Sequence, residues 1–164
     1  MVLIAMSGVP GSGKTTIAHA LAAELGYTVL SVDTIEAGMR RAGVDDDQSC
    51  GLAAYAVAQA LADVQLRLGV KVIADAVNVA APARQAWMEL AASHAVPLVV
   101  VEVRCSDVFL HRERLATRPV ELREISWAEI EQQAQESAPW PVATCQVDSA
   151  QSVDAVVAHI LDYL

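Results

Sequence analysis

The chain has 164 residues, 54% of them hydrophobic and 19% charged. That composition excludes a disordered chain and suits one domain with a sizeable core. A net charge of −9 disfavours a large polyanion such as duplex DNA as partner, and no apolar run has membrane-spanning length.

The first element is Val2-Leu3-Ile4-Ala5-Met6, an apolar run as a buried parallel strand should be. Gly8-Val9-Pro10-Gly11-Ser12-Gly13-Lys14-Thr15 follows and fits the phosphate-binding pattern G-x-x-x-x-G-K-[ST]. Its glycines let the backbone turn tightly and point successive N–H groups at phosphate oxygens. Lys14 supplies a point charge for the β- and γ-phosphates, and the Thr15 hydroxyl can ligate Mg²⁺. The candidate nucleotide contacts are therefore Gly8, Pro10, Gly11, Ser12, Gly13, Lys14, Thr15 and Thr16. A helix over 14–25 is expected from the spacing of Ile17, Ala20, Leu21 and Leu25, with Gly26 as its stop. Its positive dipole end adds to the anion site.

Further strands are expected at 28–32, 70–75, 97–103 and 143–148. Further helices are expected at 34–42, 49–68, 81–94, 106–118, 126–136 and 152–163. The alternation implies parallel βαβ units and an α/β fold. The Asp45-Asp46-Asp47 run reads as a solvated loop. Tyr55, Gln59 and Asp63 share one face of the third helix and could border a pocket or join the core. Cys50, Cys105 and Cys145 are far apart and off metal-ligand spacing, so they read as reduced packing residues. The first strand runs directly into the phosphate loop, which is not the pattern of a cleavable leader, and a cytoplasmic location is expected.

In an open parallel sheet, ligands bind beyond the carboxyl ends of the strands. Asp33 closes the second strand and Asp75 the third, with Asn78 just after. Phosphoryl transfer to a hydroxyl needs a carboxylate to orient the acceptor and take its proton, a role that suits Asp33. The alternative for Asp33 is a helix N-cap. Asp75 could bind Mg²⁺ through water or hold Lys14 in place, and Asn78 could touch the acceptor or restrain the strand end. The basic run His111-Arg112-Glu113-Arg114-Leu115-Ala116-Thr117-Arg118 ends a helix before Pro119. Arg114 and Arg118 share a face, so one could sit on the adenine and the other on the transferring phosphoryl group. No chemistry is assigned to the four histidines. Trp87 and Trp127 read as core or interface, and Trp140 as packing a loop near the nucleotide.

These stretches occur in an order that resembles the small P-loop kinases, a group including chloramphenicol phosphotransferase, the kinase domain of phage polynucleotide kinase, gluconate kinase and the zeta toxins. The resemblance spans nearly the whole chain. It rests on Gly8–Thr15, the Ser31-Val32-Asp33 strand end, the segment Val72–Asn78 with Arg84 and Trp87 after it, and the Arg114/Arg118 helix. It implies a three-layer sandwich, a five-stranded parallel sheet of order 2-3-1-4-5, and a mobile lid over about residues 115–127. By the same analogy Asp33 is the base, Lys14 and Thr15 hold phosphate and Mg²⁺, and Arg118 is the lid arginine. Arg84 joins Asp33 and Asn78 as a candidate acceptor contact. Asp33–Met39 and Val103-Arg104-Cys105 resemble chloramphenicol phosphotransferase, whereas Asp75–Trp87 looks more like polynucleotide kinase. That kinase carries an arginine three residues after the base to hold its substrate's phosphate. Glu36 stands at that position here and would repel one. The departure points to an uncharged or cationic acceptor.

The leading expectation is thus an ATP- and Mg²⁺-dependent O-phosphotransferase acting on the hydroxyl of a small molecule such as an antibiotic, nucleoside or sugar. A nucleotide-binding regulatory protein with weak ATPase activity is the reading from another class. A nucleotide or nucleic-acid-end kinase is the third, for which Arg40, Arg41 and Arg84 could offer a small basic groove. Oligomeric state is not readable from the sequence.

Overall fold

Strand side chains alternate between faces, so an apolar strand buried on both sides feeds two core layers. The sheet has this form. The computed structural model describes residues 2–44, 48–117 and 124–164, with backbone alone at 48 and 49. Its elements are β1 (Leu3–Ser7), α1 (Lys14–Leu25), β2 (Thr28–Ser31), α2 (Val32–Arg41), α3 (Gln48–Arg67), β3 (Val72–Asp75), α4 (Ala81–Ser93), β4 (Leu98–Arg104), α5 (Val108–Ala116), α6 (Trp127–Glu136), β5 (Thr144–Asp148) and α7 (Val153–Tyr163). The strands form one parallel sheet in the order β2-β3-β1-β4-β5. Leu3, Ala5, Val72, Ala74 and Val100 pack with Ala54, Ala58, Ala62 and Trp87 of α3 and α4. Ile4, Met6, Ile73, Val101 and Val103 pack with Ile17, Leu21, Val156 and Ile160 of α1 and α7. The alanine stripe of α3 lets that helix lie close to the sheet. None of the three cysteines is in a disulfide. Among the described residues, no helix is long and apolar enough to cross a membrane.

The element positions agree with those expected, with one consequential shift. β2 ends at Ser31 and α2 begins at Val32. Ser31 is the cap, its hydroxyl accepting from the Thr34 N–H at 3.3 Å. Asp33 therefore lies in the first turn of α2 rather than at a strand end, and it is not the capping residue. Arg118, the Asp45–Asp47 run and the middle of the expected lid lie outside the described residues.

All five strands point their carboxyl ends at one edge, and β1 sits where the connections diverge. Beyond this edge a buried polar cluster fixes the ends of β1 and β3. Asn78 is fully buried with a φ of +53°, a region asparagine tolerates better than most residues. Its Nδ2 donates to the Met6 carbonyl at 2.7 Å, and its Oδ1 accepts from Trp87 Nε1 at 3.0 Å. Its own N–H donates to the Tyr55 hydroxyl at 3.1 Å. Arg84 is buried beside it and donates to the Asn78 carbonyl at 2.8 Å, to the Ser137 hydroxyl at 2.9 Å and to the Ala138 carbonyl. The Arg84 guanidinium also lies over the Trp140 ring, whose Nε1 donates to Ser7 Oγ. The sequence left Asn78 between the acceptor and a restraint on the strand end, and offered Arg84 as an acceptor contact. Their burial and hydrogen bonds tie both to the scaffold, Asn78 on the strand-end side of its two readings. Tyr55 falls on the core side of its two readings, and burial pushes its phenol up to about 12.

Replacing Asn78 strands the Trp87 N–H and forces a side chain less suited to positive φ. Asn78→Ala is expected to lower the unfolding free energy by about 2–4 kcal/mol. Urea denaturation checks this as a lower midpoint with an unchanged slope.

Candidate active site

The phosphate loop joins β1 to α1, and its glycines are required by what surrounds them. Gly8 has a φ of +141°, and a Cβ there would stand 2.3 Å from the Val103 carbonyl oxygen of β4. Gly13 caps α1 in the left-handed region at φ +94°, with no side chain bonded to the first turn. The leading N–H groups of α1 are thus kept for an anion. Lys14 is buried, and its Nζ donates to the Val9 carbonyl at 3.0 Å, folded back over the loop.

Two neighbours brace this loop from outside, and sequence reading assigned neither. His111 of α5 is buried and donates from Nε2 to the Pro10 carbonyl at 2.8 Å. That bond fixes the tautomer, since the carbonyl can only accept. The His111 ring also packs on Gly11, and the Trp127 ring of α6 meets it edge-on at 5.0 Å. Ser149, just past β5, donates from Oγ to the Ser12 carbonyl at 2.7 Å. Arg114 in turn donates to Ser149 Oγ at 2.8 Å and to its carbonyl at 3.1 Å. Ser149 obeys the strand-end rule that picked out Asp33 and Asp75, so a stricter use of that rule finds it. For His111 no local signal exists, because its partner is 101 residues away.

Asp75 ends β3 directly behind the loop. Its Oδ2 accepts from Thr15 Oγ1 at 2.8 Å. Its Oδ1 is buried without a hydrogen-bond partner, as is Ser12 Oγ. Burial holds the Asp75 carboxyl above the ordinary carboxylate range, and the nearby Asp33 charge adds to the rise. The Thr15 hydroxyl and the Lys14 charge pull the other way. A hydroxyl and an orphaned carboxylate oxygen side by side are hard donors that suit a small divalent cation keeping several waters. Among the described residues no cluster of three or more His, Cys, Asp or Glu side chains could cage a metal by itself.

The loop opens into a cleft of about 460 Å³. Pro10, Gly11, Gly13, Lys14, Thr15 and Thr16 line one part, and Ser31, Asp33, Thr34, Ala37 and Arg41 of the β2–α2 corner line another. Arg114 and Thr117 complete it. Most of the expected site residues thus meet in one cleft, with Asp75 beneath it. Asn78 and Arg84 stand apart in the scaffold.

A glycine loop at the β1 switch point, a lysine and threonine opening α1, and an aspartate ending the adjacent strand define a P-loop NTPase. The strand order is the one the small P-loop kinase resemblance implies. The chain belongs to the AAA domain family, whose match spans residues 3–139. It is similar in structure to a candidate kinase from Chloroflexus aurantiacus j-10-fl, with a TM-score of 0.77 and 21% identity over 99% of this chain and 98% of that one. It is also similar to a gluconokinase from Sinorhizobium meliloti 1021, with a TM-score of 0.69 and 20% identity over 98% of this chain and 89% of that one. A third neighbour is the Mycobacterium tuberculosis APS kinase in complex with AMPPNP and APS, with a TM-score of 0.68 and 16% identity over 98% of this chain and 95% of that one. At these identities the likeness establishes the fold. The comparison with curated proteins finds no match.

Two outcomes follow from the site. The folded chain keeps a proton on Asp75 that the unfolded chain has released, in the window from the ordinary value of 3.8 up to the raised one. Stability from this group therefore falls as pH rises through that window and stays lower above it. Asp75→Asn is expected to raise the Tm of the nucleotide-free protein at neutral pH and to flatten this fall. Melting curves from about pH 4 to about pH 8 test both. Ser149→Ala removes the brace on Ser12, and nucleotide affinity is expected to drop about tenfold, on the order of 1.4 kcal/mol, by titration calorimetry.

Proposed function

We propose that the protein is an ATP-dependent O-phosphotransferase that moves the γ-phosphoryl group of MgATP to a hydroxyl of a small molecule. The observation that carries this reading is Asp33, which lines the same cleft as Lys14 and Thr15. A pure nucleotide switch needs no carboxylate there. The kinase fold of the structural neighbours supports it.

The loop N–H groups and Lys14 hold the β- and γ-phosphates and offset their charge. Thr15 Oγ1 and Asp75 are the residues that would hold Mg²⁺, with Asp75 acting directly or through a water. The ion, when bound, neutralises charge on the phosphate oxygens. Arg114, fixed on Ser149, flanks the loop on the side of residues 149–151 and borders the nucleotide. Asp33 accepts the proton of the acceptor hydroxyl as its oxygen bonds to the γ-phosphorus. The bond from that phosphorus to the β–γ bridging oxygen breaks, and ADP leaves. Arg118 is the proposed transition-state cation.

Asp33→Asn keeps the size and removes the base. Transfer from γ-labelled ATP to the acceptor is expected to fall about 10²- to 10⁴-fold. Nucleotide affinity should stay within about threefold, because the loop contacts are untouched. Full transfer activity in this variant would show that Asp33 is not the base.

A further inference from the structure

We infer that the outward face of α3 is a contact between two copies of this chain, packed helix against helix in antiparallel register about a two-fold axis between Ala60 and Leu61. The inference stands apart from the kinase reading.

A surface helix of a globular protein carries one apolar face, turned to the core. α3 carries two. Ala54, Ala58, Ala62 and Leu66 recur every four residues and are buried in the core. Ala53, Val57, Ala60, Leu61, Val64 and Leu68 recur at three- and four-residue spacing and form a second stripe beside the first. Leu68 continues that stripe past the helix end, since its N–H still bonds the Val64 carbonyl at 3.2 Å. Val57, Leu61, Val64 and Leu68 are 41%, 43%, 45% and 72% exposed. Single apolar residues on a surface need no explanation, but a continuous stripe marks a contact.

Charge argues that the occupant is a second copy. At −9, two chains repel over most of their surfaces. The 20 residues of α3 include one acid and one base, Asp63 and Arg67, and these pair with each other. Asp63 also bonds His94 at the end of α4, at 2.8 Å. The stripe itself carries no charge, so two such chains can meet along it without opposing like groups.

The order of side-chain sizes argues the same. A two-fold contact sets residue i against j and j against i. Antiparallel pairing about the Ala60–Leu61 axis sets Ala53 against Leu68, Val57 against Val64 and Ala60 against Leu61. Small residues then face the largest ones and the middle-sized pair face each other, so side chains enter gaps. A parallel pair would set Leu68 on Leu68 and Ala60 on Ala60, bulk on bulk and gap on gap. Two stripes bury on the order of 800 Å² before flanking residues are counted, which makes the contact weak and concentration-dependent.

Sedimentation of the full chain from about 1 µM to about 500 µM is expected to move from the mass of one chain to that of two. Val57→Glu and Val64→Lys, each alone, press a charge against the partner's apolar seam and should weaken the dimer roughly 100-fold. The double variant sets glutamate against lysine across the axis and should regain most of that loss. Melting midpoints at about 1 µM, where the chain is monomeric, should match wild type and so separate lost association from misfolding. Ala60→Cys, beside the axis, should form an interchain disulfide under mild oxidation above the wild-type background. Leu68→Cys should not, because its two copies lie about 22 Å apart along the pair. The mass of one chain at every concentration would overturn the second copy as occupant and leave the stripe to a different apolar partner. A dimer that both single variants leave intact would overturn the face. No recovery in the double variant, with Leu68→Cys cross-linking as readily as Ala60→Cys, would overturn the antiparallel register.

Discussion

A phosphate site made of backbone N–H groups can hold its shape only if something other than its own side chains fixes the peptide planes. That constraint organises this molecule. Gly8 lies so close to the Val103 carbonyl that a methyl group would not fit. His111 holds the Pro10 carbonyl, and Ser149 holds the Ser12 carbonyl. The Pro10 and Ser12 carbonyls are thus pinned from outside the loop, and the Gly8 and Ser12 N–H groups are bonded to the Val77 and Val9 carbonyls. Three elements distant in sequence, namely β4, α5 and the turn after β5, supply the pins. The site is therefore a product of the whole sheet edge, and its stability is that of the domain.

The two aspartates show how one sheet edge gives similar groups different duties. Asp75 is buried behind the loop, bonded to Thr15, with its carboxyl pushed up by desolvation. Asp33 stands in the first turn of α2, on the cleft wall. Low dielectric favours the neutral form of the first, and a bound cation would reverse that preference. The second faces the cleft, where a reacting hydroxyl would enter. Chemical identity is equal in the two residues, and environment separates them.

Much of this was legible without coordinates. The glycine-rich loop, its lysine and threonine, the strand–helix alternation and the aspartates near the strand ends are local patterns, each spanning a few residues. Local patterns survive in sequence because hydrophobic period and turn chemistry act over one or two turns of chain. Asn78 kept two readings in the sequence because a polar residue beyond a strand end looks the same whether it faces solvent or an interior carbonyl, and the bonds that bury Arg84 of α4 reach residues 53 and 54 positions away. Glu36 pairs with Arg40 and approaches Gly51 of α3, contacts that its position three residues after Asp33 does not reveal.

By itself the sequence determined the class of fold, the phosphate loop and the set of carboxylates from which a base could be drawn. These depend on periodicity and on residue types that tolerate unusual backbone. Only the tertiary structure decided which polar groups are spent on the protein and which face a ligand. Trp87 consumes Asn78, Ser137 and Ala138 help consume Arg84, and Pro10 engages His111. The Arg84 and His111 pairings join residues 53, 54 and 101 positions apart. Hydrogen bonds of that reach are set by how layers pack, and no short stretch of sequence contains both partners.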